Sequence, residues 1–269
     1  MRRPKETSSQ LYPFCFSNIS LQAFFELLPV RPSATILAIA LNLPLVGCSY
    51  SGNAPQESPP QATQRSYTTK FPLVENPISE GGNWINGGIA GLDWTNVRTA
   101  SGLAFGTESG SGGYDDSTAV LAGTWNADQM AQAVVHSVNQ KANPTYEEVE
   151  LRLRTTVTNH SITGYEINFR CTSDASRYVQ IVRWNGPPGS FTYVSTTTGP
   201  GIHDGDVLKA SIVGSTITVY INNKPVLQGT DRTYTSGNPG IGFFLQGATG
   251  VNGDYGFTSF TAMDSLTTR

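Results

Sequence analysis

The stretch GYEINFRCTSDASRYVQIVRW, Gly164 to Trp184, sets two β-rich runs on either side of the polar turn Thr172-Ser173-Asp174-Ala175-Ser176. Both runs alternate, as strands with two different faces must. On the first, Tyr165, Ile167 and Phe169 point one way and Glu166, Asn168 and Arg170 the other. On the second, Val179, Ile181 and Arg183 oppose Tyr178, Gln180, Val182 and Trp184. A hairpin that aligns the polar sides places Glu166, Asn168, Arg170 and Gln180 on one exposed sheet face with Tyr178 and Trp184.

Working outward, the same period recurs. Val149–Val157 (VELRLRTTV) puts Val149, Leu151 and Leu153 inward and Glu148, Glu150, Arg152 and Arg154 outward, on what reads as a solvated sheet surface. Met130–Val138 has residues with helix propensity, but everything downstream is strand-like, and a strand is predicted there too. Further strands are predicted at Leu103–Gly106, Ala119–Trp125, Phe191–Thr196, Val207–Val213, Thr216–Ile221, Val226-Leu227, Ile241–Gln246 and Tyr255–Ala262. Asn222-Asn223 is a tight turn that tolerates positive φ. Gly237, Gly240 and Gly242 are expected to serve backbone geometry. Many short strands without a credible helix indicate two stacked antiparallel sheets.

Composition agrees. Glycine is abundant at 28 of 269 residues and charged residues are sparse at 14%, which favours strands and turns. With a net charge of −3 and no basic cluster, the chain is not expected to bind nucleic acid. The three cysteines, Cys15, Cys48 and Cys171, form neither a disulfide framework nor a zinc spacing, and Cys171 reads as a buried strand residue. His136, His160 and His203 are scattered, and no GxSxG elbow, P-loop or dinucleotide fingerprint is present.

Ahead of the strands, Ala34–Val46 has the length of a signal-peptide apolar core and is too short to span a bilayer comfortably. It ends in Leu45-Val46-Gly47-Cys48, which resembles the lipobox of bacterial lipoproteins and implies a diacylated Cys48. Residues 1–47 are therefore expected to be an export signal. The start is expected nearer Val30, with Met1 over-extended, because a basic start and a second apolar patch, Leu21–Val30, precede the core. Residues 48–70, rich in Pro, Gln, Ser and Thr, read as a flexible stalk. The folded domain is expected at 71–262 and a short tail at 263–269. The chain is thus expected to be lipid-anchored at the bacterial cell surface or outer membrane.

Within the domain, one order of segments is distinctive: Trp125-Asn126-Ala127-Asp128-Gln129, GYEINFR, YVQIVRW, DGDVLKASIVGSTITVYINN, Thr230-Asp231, SGNPGIGF and YGFTSF. It resembles bacterial concanavalin A-like, or laminin G-like, jelly-roll domains of the lectin and glucanase superfamily, from about Phe71 to Ala262. The resemblance implies an all-β, two-sheet antiparallel jelly-roll sandwich. It also implies a concave sheet that binds or cleaves glycans, sometimes with a structural calcium. Retaining glucanases of the superfamily carry three acids at alternate positions of one strand, and here the hairpin offers Glu166, Asn168 and Arg170 instead. The lyase pattern Gln-x-His is missing.

The expected function is therefore a carbohydrate-binding module with a polysaccharide partner. Its ligand residues would be Glu166, Asn168, Arg170, Tyr178, Gln180 and Trp184, with the two aromatics stacking on a pyranose. A hydrolase or lyase on the same face, and a structural or protein-interaction module, are the alternatives. Asp115-Asp116, Asp204, Asp206 and Asp254 are candidate calcium ligands or, equally in kind, turn-forming carboxylates.

Overall fold

The computed structural model describes residues 64–264. The predicted export segment, Cys48, most of the predicted stalk and the last five residues lie outside them. In chain order the strands are β1 Ser66–Thr69, β2 Trp84–Asn86, β3 Arg98–Ala100, β4 Leu103–Phe105, β5 Ser117–Leu121 and β6 Gln129–Ser137. Next come β7 Tyr146–Thr158, β8 Ser161–Arg170, β9 Val179–Gly186, β10 Phe191–Thr197 and β11 Val207–Val213. The series closes with β12 Thr216–Ile221, β13 Lys224–Thr230, β14 Asn238–Gln246 and β15 Tyr255–Asp264, the last preceded by a 3-10 turn at Asn252–Asp254. Among the described residues there is no α-helix.

All strand pairs are antiparallel and form two sheets. The seven-stranded sheet runs β10-β9-β8-β7-β14-β5-β2. The eight-stranded one runs β13-β12-β11-β6-β15-β4-β3, with β1 also on β15. This is the concanavalin A-like jelly-roll sandwich that the sequence resembles. Between the sheets lies one apolar core, in which Val149, Leu151, Leu153, Tyr165, Ile167, Phe169, Val179 and Ile181 from one side meet Ala131, Ala133, Val135, Leu208, Ala210, Phe257 and Phe260 from the other. Cys171 is buried in it. The strand β6, ambiguous by propensity, alternates strictly, with Ala131, Ala133 and Val135 buried. Asn222 and Asn223 have φ of 50° and 63°, the backbone a two-residue hairpin turn requires.

Two boundaries differ from the expectation. The first strand starts at Ser66, ahead of Phe71, because β1 is held by a neighbouring strand rather than by its own apolar surface: Ser66 to Thr69 pair with Met263 to Phe260. Thr69 Oγ1 also donates to Glu80 Oε1 at 2.5 Å. At the other end β15 continues to Asp264, whose carboxylate accepts the Arg65 amide at 2.7 Å and the Asn126 amide at 2.9 Å.

The outward face of β7 is also not a solvated surface. Glu148, Glu150, Arg152 and Arg154 are all buried. Arg154 lies at a bulge between Leu153 and Thr156 with φ of 46°, a left-handed conformation uncommon for a residue with a side chain. Its amide donates to Gln129 Oε1 at 2.8 Å. Its guanidinium donates to the carbonyls of Ala127 (2.7 Å), Tyr234 (2.9 Å) and Gly214 (2.8 Å), tying three loops to the sheet. Gly237 packs against this bulge with φ of 123°, and a Cβ there would come within 2.3 Å of the Arg154 carbonyl group. Its role is backbone geometry, as expected.

Candidate functional site

The hairpin aligns as its alternation requires. Asn168 faces Gln180, Glu166 faces Val182 and Gly164 faces Trp184, while on the other side of β8 Glu148 faces Arg170, Glu150 faces Asn168 and Arg152 faces Glu166. These side chains share the face of the seven-stranded sheet turned away from the core, and there they floor a groove of about 340 Å³. Loops close over part of that face. The segment between β2 and β3 brings Leu92 and Trp94 against Trp184 and Ile162, forming a second, small apolar cluster. Asp116 and Tyr114 arrive from the segment between β4 and β5.

The floor is polar: Glu148, Glu150, Glu166, Asp116, Asn168 and Gln180. The walls are aromatic. Tyr146, Tyr178, Trp184, Phe191 and Phe244 line them, and Tyr114 and Tyr193 stand at the rim, each 55% exposed. On the strand beside β7, Gly242 leaves room for the acids, since a Cβ there would lie 2.1 Å from Glu150 Oε2 and 2.7 Å from Arg152 Nη2.

Beside these acids on the same face, Arg152 holds three carboxylates. Its Nη1 donates to Glu166 Oε2 at 2.8 Å, and its Nη2 to Glu150 Oε2 at 2.5 Å and Asp116 Oδ2 at 3.3 Å. Trp184 Nε1 donates to the same Glu166 oxygen at 2.5 Å, and Asn168 Nδ2 to the other at 3.2 Å. Burial pushes the Asp116 and Glu150 carboxyls well above the usual carboxylate range, and the neighbouring acids add to it. For Arg152, burial acts to lower its basicity, yet Glu150, Glu166 and Asp116 outweigh it and hold the guanidinium charged. Tyr178 donates its hydroxyl to Glu148, whose carboxyl is pushed up to about 7, by burial first and then by the Glu166 charge. Asp116, Glu150 and Glu148 thus hold protons more tightly than exposed carboxyls do.

Of the six ligand residues expected from sequence, Glu166, Asn168, Tyr178, Gln180 and Trp184 line this groove. The structure corrects two of the roles. Trp184 is only 3% exposed, because Trp94 packs edge-on against it at 4.8 Å, so it is a wall rather than a stacking platform. Arg170 does not line the groove. Its guanidinium lies 3.8 Å from the Tyr146 ring centre and donates to the Thr145 (2.9 Å) and Ser176 (3.1 Å) carbonyls, so it braces the groove from beside it. Nor is the face exposed, since Glu166, Asn168 and Arg170 are each buried. Sequence reasoning favoured surface charges for Glu148 and Glu150 over a catalytic pair, and a turn residue for Asp116 over a calcium ligand, and it missed the rim tyrosines.

For calcium, Asp116, Glu150 and Glu166 do bring carboxylate oxygens within 4.8 Å of one another. Arg152, however, sits among those oxygens, and a dication does not fit beside a guanidinium it would have to displace. The other candidate aspartates hold their own loops. Asp204 accepts the Ser137 amide at 3.0 Å, Asp206 the His203 amide at 2.8 Å, and Asp254 lies 3.5 Å from Lys141 Nζ.

No protein-family model matches the chain, and the search of curated proteins finds no relative. Among solved structures it is similar to a κ-carrageenase from Pseudoalteromonas carrageenovora in complex with a κ-carrageenan oligotetrasaccharide, at 12% identity and a TM-score of 0.49, covering 79% of this chain and 99% of that one. It is similar to the metal-free carbohydrate recognition domain of Emp46p at 10% identity and a TM-score of 0.48, covering 74% and 95%. A carbohydrate-binding module, CBM66 from Bacillus subtilis, follows at 11% and 0.46, covering 71% and 96%. At these identities a likeness concerns architecture alone, and the architecture is given independently by the strand order of the two sheets.

Proposed function

We propose that the chain is a lectin-like module that holds a polysaccharide in this groove. The observation that supports it best is the pairing of an acceptor-rich floor with aromatic walls and two exposed rim tyrosines. A pyranose has the complementary surface, with apolar ring faces for Tyr114 and Tyr193 and hydroxyl edges for Glu148, Asn168 and Gln180.

The test is migration of the purified chain through native gels containing different polysaccharides. Tyr193→Ala is the informative variant, because the buried Trp184 cannot be truncated without a folding penalty of about 3–5 kcal/mol. Retardation by one or more polymers, weakened about tenfold in affinity by Tyr193→Ala at unchanged thermal stability, is the expected result. No retardation on any neutral or charged polymer sinks the reading. Cleared polymer in the gel would favour a second reading, a hydrolase, for which Glu148 is the candidate proton donor: it sits in the groove with its carboxyl pushed up to about 7.

We further propose that export and acylation at Cys48 present the groove at the bacterial cell surface. A mass spectrum of the mature protein should begin at a diacylated Cys48, and a chain that retains unmodified Cys48 inside a longer N-terminus would overturn that part.

A further inference from the structure

The groove is rich in carboxyl groups and lined by no cationic side chain. Four carboxyl groups face it, and no Lys, Arg or His lines it. The two guanidiniums nearby are already engaged, Arg152 by three carboxylates and Arg170 by backbone carbonyls and the Tyr146 ring. Glu148, Glu150, Glu166 and Asp116 thus outnumber Arg152 and Arg170 by two. In addition, Asn168, only 7% exposed, has its Nδ2 bonded to Glu166 while its Oδ1 is buried without a hydrogen-bond partner. Since Asn168 lines the groove, that orphan acceptor is available to a donor arriving there. Around it stand aromatic rings, whose faces attract cations.

We propose that the groove takes a glycan bearing free, protonated amino groups, an amino-sugar polymer rather than a uronic or sulfated one, with an ammonium seated beside Glu148 and Asn168 within reach of the Tyr178 ring. This rests on the groove being a glycan site. A neutral hydroxyl would satisfy Asn168 but would leave the acid excess as it is. An ammonium satisfies both, through charge-assisted hydrogen bonds. An anionic sugar would meet four carboxyls and no available cation.

The seated cation would also expel protons. The groups acting on Glu148 are Arg170, Asn168 and Glu166 on β8, Tyr178 ahead of β9, Tyr193 on β10, Glu150 on its own strand, and Asp116 ahead of β5. Of these Arg170 alone is cationic, so an added positive charge lowers the carboxyl's proton affinity sharply.

The experiment is calorimetry of the chain at pH 6 in low salt, against β-1,4-linked hexamers of glucosamine, N-acetylglucosamine and glucose and the α-1,4-linked hexamer of galacturonate, each in two buffers of different ionisation enthalpy. The glucosamine hexamer should bind about tenfold or more tighter than the acetylated and glucose hexamers and should release protons, seen as buffer-dependent heat. Glu148→Gln should abolish most of that preference and the proton release, while glucose-hexamer affinity falls far less than glucosamine-hexamer affinity. Asp204→Asn, at a carboxylate remote from the groove, should change nothing, which separates the site from bulk charge. Equal or tighter binding of the glucose or galacturonate hexamer would overturn the amine assignment while leaving the glycan groove standing. So would a preference untouched by Glu148→Gln. Binding of no hexamer at all would overturn both.

Discussion

Replacing Arg152 by methionine is expected to cost the domain about 3–5 kcal/mol at pH 8, and less than half of that at pH 5. The side chain it removes is completely buried and is the direct cationic partner of Asp116, Glu150 and Glu166. Methionine fills similar space, so the loss is electrostatic: three carboxyls are left in the groove floor without their counterion. Asp116 and Glu150 already hold protons more tightly than ordinary carboxyls, through burial and the charge of neighbouring acids. A carboxyl whose folded-state proton affinity is raised contributes stability that is fully present below its unfolded pKa, near 4. That stability is lost as pH rises through the higher folded value. Without Arg152 those folded values climb further, so the variant should suffer most in alkali. Urea midpoints of both proteins at pH 5 and pH 8 give the answer. A loss of equal size at both pH values would mean that Arg152 matters as a spacer and not as a counterion.

Arg154→Met, two residues further on the same face of β7, should behave differently. Its guanidinium serves the carbonyls of Ala127, Tyr234 and Gly214, with Asp128 at 3.5 Å as a marginal, partly exposed fourth partner. Carbonyls do not titrate. The expected loss is about 2–4 kcal/mol, from acceptors left without donors, and it should be flat between pH 5 and pH 8. Glycan retardation should survive, since Arg154 does not line the groove. If instead the two arginine variants lose stability in parallel with pH, the separation between a charged floor and a loop anchor is wrong.

The pair also shows how much could be read in advance. Strand β7 carries Glu148-x-Glu150-x-Arg152 and β8 carries Glu166-x-Asn168-x-Arg170, each with an acid four residues before an arginine. Laid antiparallel, they set Glu148 opposite Arg170 and Arg152 opposite Glu166. That complementarity was present in the sequence and could have marked the face as one organised cluster rather than a solvated surface. The closure of the face was not legible. It depends on Trp94 and Tyr114, which reach Trp184 from segments 70 to 90 residues earlier, in Gly-rich stretches without a period to interpret. Burial of Trp184, and hence its role, follows from a contact that alternation along one hairpin does not contain. Strands predicted by alternation, by contrast, such as Val207–Val213 and Thr216–Ile221, match the structure residue for residue, because their period reports a core on one side only.

The pairing of β1 with β15 has a further consequence. Ser66 lies across from Met263, so the polypeptide enters and leaves the sandwich at a single corner. A fold with such a shared doorway can be spliced into a surface loop of a host protein as a cassette, its two junctions separated by little more than the width of one strand pair. The host would need no long connectors, and the sandwich would need no rearrangement to accept the graft.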